Sequence, residues 1–179
     1  MANRIIRCTV SSKSIKRAIE ELNTLEDKLK IAEDTACRRI AHECADLMWD
    51  RQNSFLSSNK EASGYNSTSH VIQLNDRYIA RIEGDQVIYN EFGTGDPGLN
   101  NPHPNKSKYD LNPYLSGKYI KTDIDGSHYW IHNGDAHVGV PAGKFVYSTV
   151  NDIKNNIGQK ILKEEVDKAL KSGGGDDNE

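Results

Sequence analysis

The sequence predicts an α+β protein in which an antiparallel β-meander packs against one long helix and a C-terminal helix. The first third carries a long apolar stripe at helical spacing, the middle carries three short runs rich in β-branched residues, and the end returns to a helical pattern. We expect a single domain over residues 1–171, with a long polar insertion at 96–138 that contains a β-hairpin. A flexible acidic tail follows at 172–179.

Composition limits the classes of protein that fit. The chain has 179 residues, of which 36% are hydrophobic and 27% charged, so one domain with a modest core is expected. Its 23 basic and 26 acidic residues give a net charge of -3, which argues against a broad basic face that grips nucleic acid. No apolar run approaches the ~20 residues that cross a bilayer, and the N-terminus lacks a signal-peptide core. We therefore expect no membrane partner and a cytoplasm-like site of synthesis.

The N-terminal third predicts two helices. Residues 4–10 favour a short strand or an extended arm, and helical spacing with a serine cap begins at Ser12. Asn23-Thr24 interrupts good helix formers, and Thr24 to Asp27 has the form of a capping box with Asp in place of Glu. The sequence therefore predicts a break or kink there, followed by a second helix.

The second helix has the clearest pattern in the chain. A helix from Leu25 to about Arg51 would be roughly 40 Å long, which is more than a compact domain of this size needs. Two interpretations stay open: the helix packs on a sheet and then on a neighbouring subunit, or it covers only its own core. Its apolar stripe comprises Leu25, Leu29, Ala32, Ala36, Ile40, Cys44, Leu47 and Met48.

The three cysteines show no Cys-X-X-Cys spacing. Cys37 and Cys44 lie seven residues apart on one helix face, and Cys8 stands alone near the N-terminus. We interpret all three as small buried hydrophobic residues without a disulfide or metal role.

The middle of the chain predicts a loop and then a meander. Residues 53–69 are polar and predict an exposed loop of unusual length. Asn75-Asp76 and Gly84-Asp85 supply turns between strands. The strand-like runs are His70–Leu74, Tyr78–Glu83 and Gln86–Tyr89.

The last run continues into Glu91-Phe92-Gly93-Thr94-Gly95. Glycines at 93 and 95 can adopt backbone angles closed to other residues, so a sharp, close-packed turn is expected. The alternative is an ordinary exit from a strand into a loop. Glu91 could be a buried acid, but its position favours a role in accepting backbone N–H groups. A phosphate loop is excluded because no Gly-Lys-Ser/Thr follows and Pro97 prevents a helix from opening there.

The insertion at 96–138 holds candidate metal ligands. Runs at 117–122 and 127–131 flank a turn and predict the hairpin, so His128 and His132 would share a strand face about 13 Å apart, too far for one zinc ion. Asp123-Ile124-Asp125-Gly126 lacks the later ligands of a calcium loop, so we expect a turn, no metal and no cofactor. The histidines and acids of the insertion are His103, His128, His132, His137, Asp110, Asp123, Asp125 and Asp135.

An amphipathic helix, weakened at Gly158, is predicted from Ser148 onward. No Gly-X-Ser-X-Gly, no Cys with a clear His partner and no spaced carboxylate pair stands out, so we expect no catalytic residues and no enzyme activity. The stripe of this helix comprises Val150, Ile153, Ile157, Ile161, Leu162, Val166 and Leu170.

Two stretches carry a resemblance to a known family. Tyr89-Asn90-Glu91-Phe92-Gly93-Thr94-Gly95, followed later by Pro141-Ala142-Gly143-Lys144-Phe145, is similar to the tail-completion and head-to-tail joining proteins of long-tailed bacteriophages, typified by gene product ten of a lambdoid phage. The order of elements also fits this family. One departure lies after the long helix, where many members carry Ala-Pro-X-X-Thr-Gly-X-Leu and this chain has Gln52-Asn53-Ser54-Phe55-Leu56.

The resemblance implies a structural virion protein that is assembled in the bacterial cytoplasm. Family members are small α+β subunits that form a ring, commonly of six copies, at the neck or top of the tail. The implied partners are other copies of the chain, the head connector or stopper, and the tail tube or its terminator, with DNA passing through the lumen without sequence-specific binding. Two alternatives stay open: a tail terminator that caps the tube, and a small metal-dependent hydrolase that uses the histidine-rich insertion.

Overall fold

A computed structural model describes residues 11–60, 62, 66–84, 86–94, 98, 100–108, 119–121, 128–132, 135–137 and 139–172. The first helix, α1, spans Ser12–Ser58. It is followed by strands β1 (Thr68–Leu74) and β2 (Arg77–Glu83), a short helix α2 (Val87–Phe92) and a 3-10 turn at Lys106–Lys108. Three short strands come next, β3 (Tyr119–Lys121), β4 (His128–His132) and β5 (Asp135–His137). The closing helix consists of α3 (Phe145–Asp152), a π-helical turn (Ile153–Ile157) and α4 (Gly158–Lys171).

The predicted α+β class is confirmed, with a long helix, an antiparallel hairpin and a C-terminal helix. The closing helix begins at Phe145, three residues before the predicted start. Its irregular π-helical turn lies immediately before Gly158, where the sequence predicts weak helix. The closing helix runs antiparallel to α1, since Arg51 pairs with Asp152 at one end and Lys28 donates to the Ser172 carbonyl at the other.

The predicted break in the N-terminal helices is wrong, because α1 is one helix of 47 residues. Thr24 does not cap a second helix; its hydroxyl donates to the carbonyl of Glu20, one turn earlier, at 2.9 Å. Such a bond satisfies the threonine inside a continuous helix. The serine cap is confirmed, with Ser11 Oγ accepting the N–H of Ser14. Residues 53–58, predicted as loop, form the last turns of α1.

The apolar stripe of α1 forms one side of the core. The buried residues of α1 are Ala32, Ala36, Ala41, Ala45, Met48 and Gln52. Small alanines allow the closing helix and the β1–β2 hairpin to approach α1 closely. Arg39 joins α1 to α4 through Glu165 and Glu164. Its hydrogen bonds, first to Glu165 and then to Glu164, raise the pKa of the Arg39 guanidinium.

The β1–β2 hairpin lies along α1. Its strands pair in register from Thr68 with Glu83 to Leu74 with Arg77, and Asn75 takes a left-handed conformation in the predicted turn. Tyr78 donates its hydroxyl hydrogen to Asp34 at 3.0 Å, and Ser69 donates to the Ala45 carbonyl at 2.7 Å. The hairpin is therefore held to α1 near both of its ends.

The predicted third strand of the meander is wrong. The run at 86–89 leads into helix α2 and does not form a strand. The β1–β2 sheet consequently has two strands among the residues that the structure describes. In the insertion, β4 pairs antiparallel with both β3 and β5, and Tyr119 lies opposite Trp130. Residues 4–10, 122–127 and 173–179, to which an arm, a turn and a tail are assigned above, lie outside the described residues.

The expectation for the cysteines is partly wrong. Cys37 is exposed on α1, whereas Cys44 is half-buried. Burial raises the pKa of the Cys44 thiol. Cys8 lies outside the described residues. Across the described part of the chain, no helix combines the length and apolar character that crossing a membrane requires.

Candidate functional site

The two motif stretches meet in three dimensions and form a joint between α2 and the closing helix. The peptide groups of Thr94 and Val140 exchange two hydrogen bonds, N–H of Thr94 to the Val140 carbonyl at 2.8 Å and the reverse at 3.1 Å. The Thr94 hydroxyl oxygen also accepts from the Val140 N–H at 3.2 Å. Because the two residues are far apart in sequence, this bridge brings both ends of the insertion to one place.

The C-terminal end of α2 is capped by the second stretch. The Asn90 carbonyl accepts the N–H of Gly143 at 2.7 Å, and the Glu91 carbonyl accepts the N–H of Lys144 at 3.2 Å. The last carbonyls of any helix lack partners within the helix, so they need donors from elsewhere. Here those donors come from more than fifty residues further along the chain.

The N-terminal end of the closing helix is capped by Glu91. Lys144 occupies the N-cap position in a left-handed conformation, and its side chain makes no capping bond. Glu91 takes over that role: Oε2 accepts the Val146 N–H and Oε1 accepts the Tyr147 N–H, both at 3.0 Å. A carboxylate at a helix N-terminus also interacts favourably with the helix dipole. The capping is therefore reciprocal between α2 and the closing helix.

His103 completes the partners of Glu91. Its Nε2 lies 2.9 Å from Oε1 of Glu91, and both side chains are buried. The backbone N–H of Asn105 points at His103 Nδ1 at 3.0 Å. Because a backbone N–H can only donate, Nδ1 is the acceptor of this hydrogen bond. The ring hydrogen is then on Nε2, which donates a hydrogen bond to Glu91 Oε1. The imidazole lies between the rings of Phe92 and Tyr147.

Gly93 fits the joint because it has no side chain. Its φ of 73° with ψ of 156° belongs to a region that residues with a Cβ rarely adopt. A Cβ at this position would lie 2.6 Å from the backbone nitrogen of Ala142 and 2.9 Å from the carbonyl carbon of Pro141. The expected sharp, close-packed turn is therefore found at Gly93, although it ends a helix instead of a strand.

Three further predicted motif residues, Tyr89, Ala142 and Phe145, have structural positions in the same joint. The Tyr89 carbonyl accepts the N–H of Gly93 at 2.8 Å and closes the last turn of α2. Ala142 is buried, and Phe145 is 1% exposed, which makes it one of the largest fully buried side chains. Gly95 lies outside the described residues.

Two residues of the joint were not predicted as part of it. The sequence points to His103 only as a candidate metal ligand, and Asn90, 2% exposed, lies within the first motif stretch but is assigned no role by the sequence. The one local sign of a structural role for His103 is weak: the backbone N–H two residues later, that of Asn105, can bond to Nδ1 and fix the tautomer. The capping by residues 143 and 144 has no local signal, because the partner segments are distant in sequence.

A cavity of about 860 Å³ opens beside this joint. It is lined by Met48, Ile82, Phe92, His103, Tyr147 and Lys154, among others. Its walls belong to α1, β2, α2 and the closing helix. Within the described side chains, no group of three or more His, Cys, Asp and Glu residues is arranged to hold a metal ion. The side chains of His128, His132, His137 and Asp135, together with all of residues 110, 123 and 125, lie outside that part.

The chemistry of the joint is that of a fixed cap. The Glu91 carboxylate accepts three hydrogen bonds, which compensate for its burial. Two of the donors are backbone N–H groups of the closing helix, so the carboxylate is fixed relative to that helix. Such a group stabilises a structure; a general base, in contrast, needs access to a reacting proton. Compared with family models, with curated proteins and with solved structures, the chain finds no match.

Proposed function

We propose that this protein is a ring-forming structural subunit at the neck or top of the tail of a tailed bacteriophage, where it joins the head connector to the tail tube. The observation that carries the proposal is the joint itself. The resemblance rests on two short stretches separated by about 45 residues, and in this chain those stretches cap each other's helices. A shared physical role gives a reason for the two stretches to occur together.

The surface of the molecule supports a role in assembly. Large apolar side chains are exposed on α1, on the hairpin and on the closing helix: Ile15, Ile19, Leu22, Ile31, Leu74, Ile79, Val150 and Leu162. Exposed apolar side chains that share one face, as Ile15, Ile19 and Leu22 do on α1, mark contacts with other proteins. A ring subunit needs such contacts with two neighbours and with the rings above and below it.

The charge of the chain suits a channel for DNA. Its net charge of -3 provides no broad excess of cations to hold phosphate groups. In the proposed role, DNA passes through the lumen without sequence-specific binding. The protein acts by its shape, and no chemical step is assigned to it.

Electron microscopy of the full-length protein tests this proposal. The purified protein is imaged alone and after mixing with tail tubes from the phage whose genome encodes it, with tubes from an unrelated phage as the control. We expect closed rings, most simply of six copies, or decoration of one tube end only with the cognate tubes. A protein that stays monomeric at every concentration and never attaches to tubes would refute the proposal.

A complementation experiment distinguishes a joining protein from a tail terminator. Lysates that contain filled heads and tails but lack this protein are supplemented with the purified chain. A joining protein restores infectious particles from tails of normal length. A terminator instead corrects tails of uncontrolled length, because tube polymerisation then lacks its stop.

A further inference from the structure

The first four turns of α1 extend beyond the rest of the helix pair. Lys28 donates to the Ser172 carbonyl at 3.3 Å, which places the end of the closing helix beside Lys28. The stretch from Ser12 to Asp27 therefore projects by roughly 24 Å at 1.5 Å per residue. We call residues 12–27 the projecting segment.

The apolar stripe of α1 continues along the projecting segment, where none of the residues that the structure describes covers it. Ile15, Ile19 and Leu22 are 46%, 52% and 52% exposed. Leu25 and Leu29, next on the same face, are half-buried, and Ala32 beyond them is buried. The spacing of three and four residues is unbroken through this change. The stripe is thus a helix-packing face whose outer half is bare.

Charges on the projecting segment divide into two blocks. The first half is basic, with Lys13, Lys16 and Arg17, and the second half is acidic, with Glu20, Glu21, Glu26 and Asp27. Lys13 lies in the first turn of α1, at the positive end of the helix dipole, where a cation is unfavourable, and no acidic residue accompanies it there. An external partner with acidic groups at this place would relieve that repulsion.

We propose that the projecting segment pairs antiparallel with the same segment of a second copy of this chain. With the two-fold axis between Ala18 and Ile19, Ile15 of one copy lies opposite Leu22 of the other, and the bare stripes cover each other. A two-fold contact requires each surface to be complementary to itself, which an antiparallel stripe satisfies.

The charge blocks fix this orientation. In the antiparallel register, the basic half of one segment lies beside the acidic half of the other, and Lys16 of one copy lies on the same flank as Glu20 of the other. A parallel, in-register pair would instead place basic beside basic and acidic beside acidic. Arg17 pairs with Glu21 of its own chain at 3.2 Å, on the side of α1 that faces away from the stripe. These two residues add to the charge of each half of the segment, whereas Lys16 and Glu20 lie nearer to the contact.

The length of the bare stripe matches this pair. In the stated register, Ser12 of one copy ends opposite Leu25 of the other, before the position where Ser172 covers Lys28. The closing helix, described as far as Ser172, does not reach the contact in either copy. The helices are already formed by their continuation into the folded body, so the pair does not bear the cost of helix nucleation. A contact of about four turns is nevertheless small, and we expect a weak dimer whose population depends on concentration.

Sedimentation velocity of the full-length protein over a series of concentrations tests the contact. We expect reversible dimers, at least ~10-fold weaker association for Leu22→Glu, and little change for the matched control Thr24→Glu, which places the same charge on the opposite face. Equal losses in the two variants, or an unmodified protein that shows no self-association, would overturn the proposal.

Charge exchange tests the orientation. We expect loss of self-association in each of two double variants, Lys16→Glu/Arg17→Glu and Glu20→Lys/Glu21→Lys. In each variant, positions 16, 17, 20 and 21 all carry charges of one sign, so the two copies repel each other. Their mixture should form a heterodimer. The quadruple variant, with all four charges exchanged, should associate like the unmodified protein, since antiparallel complementarity is retained. A quadruple variant that stays monomeric would refute the register.

This contact does not depend on the proposed function. A two-fold contact closes on itself, whereas the contacts around a ring run head to tail. Rings that persist with Leu22→Glu would leave the neck proposal intact while the dimer is lost. Dimers that form without any ring or tube binding would support the contact and count against the neck proposal.

Discussion

The N–H of Tyr147 donates to Oε1 of Glu91 at 3.0 Å, so the first turn of the closing helix is attached to the last turn of α2. Val146 donates to the other carboxylate oxygen at the same distance. A glutamate that caps a helix across 55 residues couples two elements whose local sequences carry no sign of each other. This relationship gives the first prediction.

Glu91→Gln should destabilise the protein by about 2 kcal/mol, or roughly 4–8 °C in Tm. Glutamine retains one acceptor oxygen, but its amide group then faces an N–H donor in a buried place. Thermal and urea unfolding followed by circular dichroism measure the change. Exposed Glu43→Gln on α1 is the control and should shift Tm by much less. Equal shifts in the two variants would contradict the cap.

Gly93→Ala should cost about 3 kcal/mol or more, because strain in the backbone adds to a collision with Ala142. Asn75→Ala separates the two causes. Asn75 has a φ of 54° in the exposed hairpin turn, so its substitution introduces strain without a collision and should cost about 1 kcal/mol. The comparison uses urea unfolding of both variants. A Gly93→Ala protein as stable as Asn75→Ala would show that the two stretches do not touch.

The continuity of α1 can be measured directly. Spin labels at Lys13→Cys and Glu43→Cys, in a chain whose natural cysteines are replaced by serine, should lie about 45 Å apart along one helix, apart from the length of the labels. Pulsed electron–electron double resonance measures this distance. An excess of unlabelled protein is added so that distances between two labelled copies do not contribute. A narrow distribution is expected. A shorter and broader distribution of distances would contradict a continuous helix and support the break that the sequence predicts at Asn23-Thr24.

The cysteines should differ in reactivity and in pH dependence. In a Cys8→Ser background, iodoacetamide should modify exposed Cys37 first, and peptide mass spectrometry measures both rates. Burial raises the pKa of the Cys44 thiol, so the reactive thiolate of Cys44 forms only at higher pH. Its rate should therefore keep rising with pH above the ordinary range for a thiol. In urea the two rates should become similar; a difference that survives unfolding would have another cause.

The helical stripes could be predicted because each depends on burial at a fixed period. Ala32, Ala36 and Met48 are predicted by spacing alone and are buried as expected. The same reasoning could not decide between a break and a continuous helix at Thr24. A threonine hydroxyl can cap a new helix or bond back to the preceding turn, and the two local sequences are alike.

Helix α2 was missed because its stability comes from distant groups. Val87, Ile88 and Tyr89 favour a strand by intrinsic preference, but such preferences amount to about 1 kcal/mol and packing overrides them. The carbonyls of Asn90 and Glu91 obtain donors from Gly143 and Lys144. With those donors in place, a six-residue helix is stable. Without knowledge of the pairing, nothing in residues 86–92 indicates it.

The bridge between Thr94 and Val140 holds the two ends of the insertion together at one pair of peptide groups. His103, near the start of the insertion, is itself buried against Glu91 and belongs to the scaffold. The entropic penalty of closing a loop grows only slowly, by about 0.6 kcal/mol for each doubling. A change of length or sequence in the insertion after Lys108 is thus a route by which specificity can diversify while the scaffold, with His103, is kept.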